Sequence, residues 1–374
     1  MPNFVVILDC RGIIRKDKNA LKRHESYAKE LFSKYGQAVV ILTTGKQNEE
    51  YSSNLEYLKL NNLGGNRFSK LKFLLNSRKF LKEQGPKCKL LIAGDPWENA
   101  FIAIILNWCR DRKIPIQIQV HGDIANTRWM RLNWRNKFRS VMSGYTLTRA
   151  NNVRCVGKSQ ANLILEKYRI DESKIDVIEV PMDLSNSRNH KIVPQKVTLG
   201  FLGRLSEDRG IGVFIDLIYK IAKVRTDFSV VVAGDGPLKN KFENELVEIL
   251  GKQRVLFVGN LRSKELDYFW NQITILVSTA PAESFGRSIR EAILSDKPVW
   301  AVKTSGVTDL MLELKQGELL LLDLSLSAEH LSTQFQNILT NSISPASKEL
   351  LLGRNATAIP RLIESWASTQ KNEA

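Results

Sequence analysis

The chain has 374 residues, 43% of them hydrophobic and 25% charged, with a net charge of +16. That length holds two ordinary domains with cores of their own, and the composition excludes disordered and fibrous classes. No apolar run approaches the roughly 20 residues that span a bilayer, the N-terminus lacks the basic start of a secretory signal, and Cys10, Cys88, Cys109 and Cys155 have neither disulfide nor metal-ligand spacing. A cytoplasmic protein is expected.

Short Val/Ile/Leu-rich runs alternate with segments of helical periodicity. Strands are expected at 4–8, 38–43, 89–93, 114–120, 154–156 and 174–179, then at 197–202, 228–233, 255–258, 273–277, 299–302 and 319–322. Nearly continuous apolar runs are what strands buried on both faces require, so the sheets are parallel with crossover helices. Twelve strands are too many for one compact open sheet and split six and six. Asp183 to Lys196 is polar and aperiodic. The expected division is an α/β domain over 1–184, a linker over 185–196, a second α/β domain over 197–358, and a C-terminal helix over 359–374 with the first domain as the surface for it to pack back on. Repeated βα units on both sides of the linker imply two Rossmann-like, doubly wound domains facing each other across a cleft at the carboxyl ends of their strands. The tail beyond Trp366 is expected to fray.

Charge is spread unevenly, with 32 Lys+Arg against 18 Asp+Glu over residues 1–187 but 23 against 21 over 188–374. Residues 124–165 hold eight basic side chains and no acidic one. Such a field favours an anionic partner, unless it merely reflects a basic proteome. Drawn as one helix, 128–142 aligns Arg128, Arg131, Arg135 and Arg139 on one face and Met130, Trp134, Phe138 and Val141 on another. Basic and aromatic faces of that kind suit an anionic membrane surface. In the alternative, the apolar stripe packs on the sheet and the arginines are simply solvated. Nothing here supplies the aromatic-basic strands or recognition helix of a nucleic-acid binder, so no nucleic acid is expected.

Earlier in the same half, Gly94-Asp95-Pro-Trp-Glu98 ends an expected strand. Asp95 either contacts a ligand or caps the next helix. Gln119-Val-His121-Gly-Asp123 ends another strand, where α/β folds hold ligands. His121 is read as functional, while His24, His190 and His330 are read as structural.

In the second half, Gly200-Phe-Leu-Gly203-Arg204-Leu-Ser-Glu-Asp-Arg209-Gly210 follows the first strand. Gly203 permits close backbone approach. The two arginines either grip a diphosphate or pair with Glu207 or Asp208 on the surface. Ala233-Gly234-Asp-Gly-Pro237 is a tight turn. Ala282-Glu283-Ser284-Phe285-Gly286-Arg-Ser-Ile-Arg-Glu291-Ala292 runs from a strand end into a helix, where the N–H groups of Ser284, Phe285 and Gly286 are open to an anion or sugar oxygen. Glu291, two turns on, is suited to a ribose diol.

These three motifs, in this order and spacing, resemble the GT-B retaining glycosyltransferases of family 4. The resemblance covers 197–323 strongly and the first half weakly. It implies a nucleotide-diphosphate sugar as donor, with Arg204 and Arg209 neutralising the diphosphate, Glu283 on the transferred sugar, Glu291 on the ribose, and Gly203, Gly234, Ser284, Phe285 and Gly286 around the same ligand. It also implies a histidine facing the sugar, here His121. The family's usual Lys is Arg209, its N-G-V-D is Val180-Pro-Met-Asp183, and its Gly pair after the first strand is reduced to Cys10-Arg11-Gly12. Gly12, Asp95 and Asp123 are the acceptor-side candidates. Because D-x-D is absent from the sequence and no metal-ligand spacing occurs, neither a metal nor another cofactor is expected. The implied acceptor is a saccharide or a lipid-linked one, at the inner face of a membrane. Rival readings are an inactive GT-B scaffold, a basic nucleic-acid-binding protein, an epimerase or a phosphorylase.

Overall fold

The computed structural model describes residues 2–45, 55–64, 69–108, 110, 113–183, 196–262 and 265–371. His190 and the expected linker, except Lys196, lie outside the described residues. The chain divides into unit 1, residues 1–181 with 355–374, and unit 2, residues 182–354.

Unit 1 is built on a parallel sheet of seven strands: β1 Phe4–Asp9, β2 Ala38–Thr43, β3 Leu58–Asn62, β4 Cys88–Ala93, β5 Ile116–Val120, β6 Asn152–Cys155 and β7 Ile175–Val177, ordered β3-β2-β1-β4-β5-β6-β7. One of these was not expected from sequence. β3 (Leu-Lys-Leu-Asn-Asn) pairs only with β2 at the sheet edge and is half-exposed, so it needs no continuous apolar run. Unit 2 holds six parallel strands: β8 Val197–Leu202, β9 Phe228–Ala233, β10 Val255–Gly259, β11 Ile275–Ser278, β12 Val299–Ala301 and β13 Leu319–Leu321, ordered β10-β9-β8-β11-β12-β13.

Both sheets reverse their strand order beside their first strand, between β1 and β4 and between β8 and β11. In open α/β sheets the loops at the carboxyl ends of such a strand pair diverge to opposite faces and leave a crevice. The motif residues after β8 and β11 flank the reversal in unit 2, and those after β1 and β4 flank it in unit 1.

The cores follow from the helical stripes. On the helix Ile211–Ala222, Ile211, Phe214, Leu217, Ile218 and Ile221 are buried at helical spacing. Phe201, Phe214 and Phe242 meet edge to face with ring centroids 5.3 to 5.6 Å apart; each such pair adds about 0.5–1.5 kcal/mol beyond its buried area. The helix Pro345–Lys371 leaves unit 2 and joins unit 1. Leu362, Ile363 and Trp366 are buried there with Val5, Ile7, Tyr27 and Val39. Trp366 Nε1 donates to Gln117 Oε1 at 2.8 Å, and Thr369 is buried as well. The helix thus continues past Trp366 to Lys371 instead of fraying there.

The segment 128–142 is not one helix. Thr127–Arg131 ends, Asn133 adopts an extended conformation and accepts from the Asn136 N–H at 2.8 Å, and a new helix runs Trp134–Leu147. An asparagine side chain that satisfies a free helix-start N–H is a strong stop-and-restart signal. Arg128 and Arg131 therefore share no helix face with Arg135 and Arg139.

Candidate functional site

In unit 2, Gly203 prolongs β8 by donating its N–H to the Ala233 carbonyl at 3.0 Å. Gly234 comes so close that a Cβ there would run into the Gly203 carbonyl oxygen, at a φ of +142° that side chains rarely adopt. The turn that begins at Gly234 braces the β8 loop. Leu205 N–H donates to the Asp235 carbonyl at 2.9 Å, and Leu238 N–H to the Leu205 carbonyl at 3.0 Å.

Arg204 and Arg209 stand on this braced loop. Arg204 Nη2 lies 3.0 Å from Asp208 Oδ2, and its Nε donates to Ser206 Oγ at 3.1 Å. Burial alone would raise the Asp208 carboxyl, but the Ser206 hydroxyl and the Arg204 cation hold it below the ordinary carboxylate value. Arg209 Nη1 donates to Glu283 Oε2 at 2.9 Å, joining motifs 74 residues apart. The Arg209 carbonyl accepts from Thr279 Oγ1 at 3.2 Å, just past β11. Gly210 lies against the Thr279 carbonyl with no room for a Cβ. Arg209 Nε is enclosed without a hydrogen-bond partner, Asp208 Oδ2 being 4.0 Å away. A guanidinium offers five N–H donors, so the contact with Glu283 leaves capacity for an anion.

Glu283 Oε1 accepts from the Gly286 N–H at 3.3 Å. Of the three N–H groups expected to be open at this turn, that of Gly286 is therefore occupied by the chain's own carboxylate, which is favoured at a helix start. Glu291, mostly buried, accepts from Arg287 Nε at 2.8 Å. Ser284 and Phe285 are buried. Arg290, also buried, donates to the Phe285 carbonyl and lies over the Phe285 ring at 4.0 Å, fixing the turn from beneath. Sequence spacing singled out neither Arg290 nor Thr279; the only available signal for Thr279 was its place just beyond a strand's carboxyl end.

Unit 1 carries a cavity of about 180 Å³ at the carboxyl ends of β1, β4 and β5. Asp95 and His121 both line it, whereas Gly12 and Asp123 do not. Gly12, at φ +65°, turns the chain after β1 against the Thr44 carbonyl. Asp123 is buried, and its carbonyl and carboxylate hold Asn126 at 2.9 and 3.4 Å. Asp95 caps the helix Glu98–Trp108, accepting from the Trp97 and Asn99 N–H groups at 3.1 and 3.2 Å, and also takes Arg11 Nη2 at 3.2 Å. Burial pushes the Asp95 carboxyl up despite Arg11.

His121 Nε2 is 3.3 Å from Gln119 Oε1. Burial, then the Arg154 and Arg23 cations, lowers His121 to about 3, so the ring is neutral at pH 7. His24, read from sequence as structural, lines the same cavity and is lowered to about 4, chiefly by burial. His330 pairs with Ser327 at the start of the helix Ala328–Leu339. Among the described residues no group of three or more His, Cys, Asp or Glu is placed to hold a metal ion.

A family model described as "Glycosyl transferases group 1" matches residues 184–357. The match takes in nearly all of unit 2, residues 182–354. The chain spans less than half the length of the curated relatives it matches. One of these relatives is 2-deoxystreptamine glucosyltransferase of Streptomyces kanamyceticus, 24% identical over 46% of this chain and 47% of that protein. Among solved structures, sucrose-phosphate synthase from Thermosynechococcus elongatus superposes with a TM-score of 0.72 at 15% identity, covering 99% of this chain and 97% of that one. Anabaena HepE in complex with UDP-glucose gives 0.70 at 18% identity, covering 99% of each chain. At these identities the likeness establishes the fold, and the two-sheet α/β architecture of this chain is the GT-B fold.

Proposed function

We propose that the chain is a retaining, metal-independent glycosyltransferase. It moves a hexose or related sugar from a nucleotide-diphosphate donor to a saccharide or lipid-linked acceptor, in the assembly of surface polysaccharide or glycoconjugate. The Arg209–Glu283 contact carries this reading, because it brings the arginine loop after β8 and the paired-glutamate motif after β11 together at the reversal of the unit 2 sheet. The family match to unit 2 and the sugar-nucleotide complex of Anabaena HepE support it.

In this mechanism Arg204 and Arg209 hold the diphosphate, Glu291 the ribose and Glu283 a hydroxyl of the transferred sugar. As the bond between sugar and diphosphate breaks, negative charge gathers on the leaving phosphate oxygens. Two guanidiniums beside them stabilise that charge where other transferases use a divalent ion. The leaving oxygen takes the proton of the acceptor hydroxyl as the new bond forms on the same face.

The test is thermal unfolding of the full chain with UDP, GDP or ADP in the presence of a chelator. Stabilisation by one nucleotide, lost in Arg204→Ala and Glu291→Ala, is the expected result. No stabilisation by any of the three would move weight to an inactive scaffold.

A peripheral position at an anionic, cytoplasmic membrane face belongs to the same proposal. Among the described residues no helix is long and apolar enough to cross a membrane. The helix Trp134–Leu147 carries its small polar side chains inward: Ser140 Oγ donates to the Ile124 carbonyl and Thr146 Oγ1 to the Pro96 carbonyl. Its apolar stripe faces out, with Trp134, Phe138, Val141 and Tyr145 exposed by 73, 60, 75 and 47%. At about 100° per residue, Arg135 and Lys137 flank that stripe on either side. Neighbouring Phe101 and Trp108, on the helix Glu98–Trp108, are exposed too, and the Phe101 and Tyr145 rings are 6.2 Å apart. Arg139 is not part of this face, since it turns inward over the Trp97 ring at 5.2 Å.

A further inference from the structure

The cavity in unit 1 has a charge arrangement that the donor chemistry does not use. The helix Lys18–Tyr35 turns Arg23, His24 and Tyr27 into it, three positions that share one helical face. His121 enters from the loop after β5. Two carboxylates also line the space, and both are committed elsewhere. Asp9 accepts from the Ile13 and Ile14 N–H groups at 2.9 and 3.0 Å and from Thr43 Oγ1 at 2.9 Å. Asp95 is held by Arg11, Trp97 and Asn99.

The other cations nearby are likewise engaged. Arg11 takes Asp95, and Arg154 donates to the carbonyls of Ile178 and Glu179 and to Gln119 Oε1. Arg23 alone of the charged lining residues has no hydrogen bond or ion pair among the described residues. An arginine on the wall of a cavity, beside two imidazoles and without a counter-ion, is suited to receive a negative charge. The neighbouring rings register the same imbalance. Burial first, and then the positive charge of Arg23 and Arg154, holds His24 and His121 far below the ordinary histidine value.

We propose that this cavity is an anion subsite, in which Arg23, with His24 and His121 beside it, takes a carboxylate or phosphate group carried by the acceptor. The inference rests on the glycosyltransferase reading for the word acceptor, while the anion site itself stands on unit 1 alone. It narrows the acceptor class to acidic or phosphorylated saccharides. A volume of about 180 Å³ admits one such group with part of a sugar ring.

The test follows the imidazole nitrogen resonances of the full-length chain by NMR during titration with inorganic phosphate, glucuronate or glucose. Phosphate or glucuronate should shift the His24 and His121 signals and raise their apparent pKa, and whichever acts at lower concentration identifies the group. Glucose should do neither. Arg23→Gln should weaken the effective anion about tenfold or more, and Arg23→Lys should restore part of the loss. Silence of both histidines toward both anions, or equal titration in Arg23→Gln, would overturn the subsite. Nucleotide stabilisation measured on the same samples keeps the two readings apart, because its loss would count against the transferase and leave the anion titration to be judged separately.

Discussion

Arg209 Nη1 and Glu283 Oε2 meet at 2.9 Å, one from the loop after β8 and the other from the loop after β11. In the proposed reaction this contact fixes the direction of the guanidinium before any ligand arrives. Arg209→Ala is expected to lower kcat by about 10²–10³, the range for removing a preorganised donor from a developing negative charge. Glu283→Gln should reduce activity as well. The double variant should fall short of the sum of the two losses, because each single change already disorders the other partner. Steady-state kinetics on the three variants decide it, and strict additivity would argue that the contact has no part in catalysis.

Gly234 is a second point where backbone geometry limits what the site tolerates. A Cβ there meets the Gly203 carbonyl, and φ is +142°. Gly234→Ala should destabilise unit 2 by about 1–3 kcal/mol, the cost of a strained backbone, and weaken nucleotide binding together with it. Thermal unfolding with and without nucleotide measures both effects.

Much of this was legible in the sequence where burial on both faces left no choice. Apolar runs such as 4–8 and Phe228–Ala233 are interior strands of parallel sheets, paired on both sides, and read as such. The unit 2 motifs were legible for a related reason: each sits directly after a strand, so chain order alone brings it to the carboxyl edge of the sheet. What stayed hidden depends on partners distant in sequence or on a single capping side chain. β3 is polar because it lies at an edge, and Asn133 breaks a helix that periodicity would have carried through. His24 and Arg23 lie on a helix far along the chain from His121, and nothing local in their segment marks the cavity they share.

Acid should weaken the fold through those same histidines. His24 and His121 are lowered to about 4 and about 3 in the folded chain, whereas an unfolded histidine titrates near 6.5. The unfolded chain therefore binds protons first, so the contribution of both rings is complete above about pH 6.5 and is lost as pH falls toward the folded values. Unfolding temperature should drop between pH 7 and 4.5, and more shallowly in His24→Gln than in the parent. Parallel curves for the two proteins would remove His24 from the account.

Vesicle flotation tests the outward stripe. Trp134→Ser with Phe138→Ser should release the protein from vesicles rich in anionic lipid while leaving the unfolding temperature within about 0.5 kcal/mol equivalent, as expected for exposed positions. Undiminished flotation would exclude this face as the membrane contact.

Trp366 provides a control for the fold. It is fully buried, bonded to Gln117 and edge-on to Tyr27 with ring centroids 6.0 Å apart. Trp366→Ala should cost about 3–5 kcal/mol, read as a lower denaturant midpoint for unit 1.

The same helix sets an order of events at the ribosome. Residues 355–371 complete the core that begins with β1, yet they are synthesised only after the whole of unit 2. At about 5–20 residues per second, translating that unit takes on the order of ten to thirty seconds. Throughout that interval Val5, Ile7 and Tyr27 wait without the helix that covers them, while the contiguous unit behind them is free to fold. Of the two units, the one begun earlier is thus the later to close, and it is the one for which a chaperone has the longer time to act.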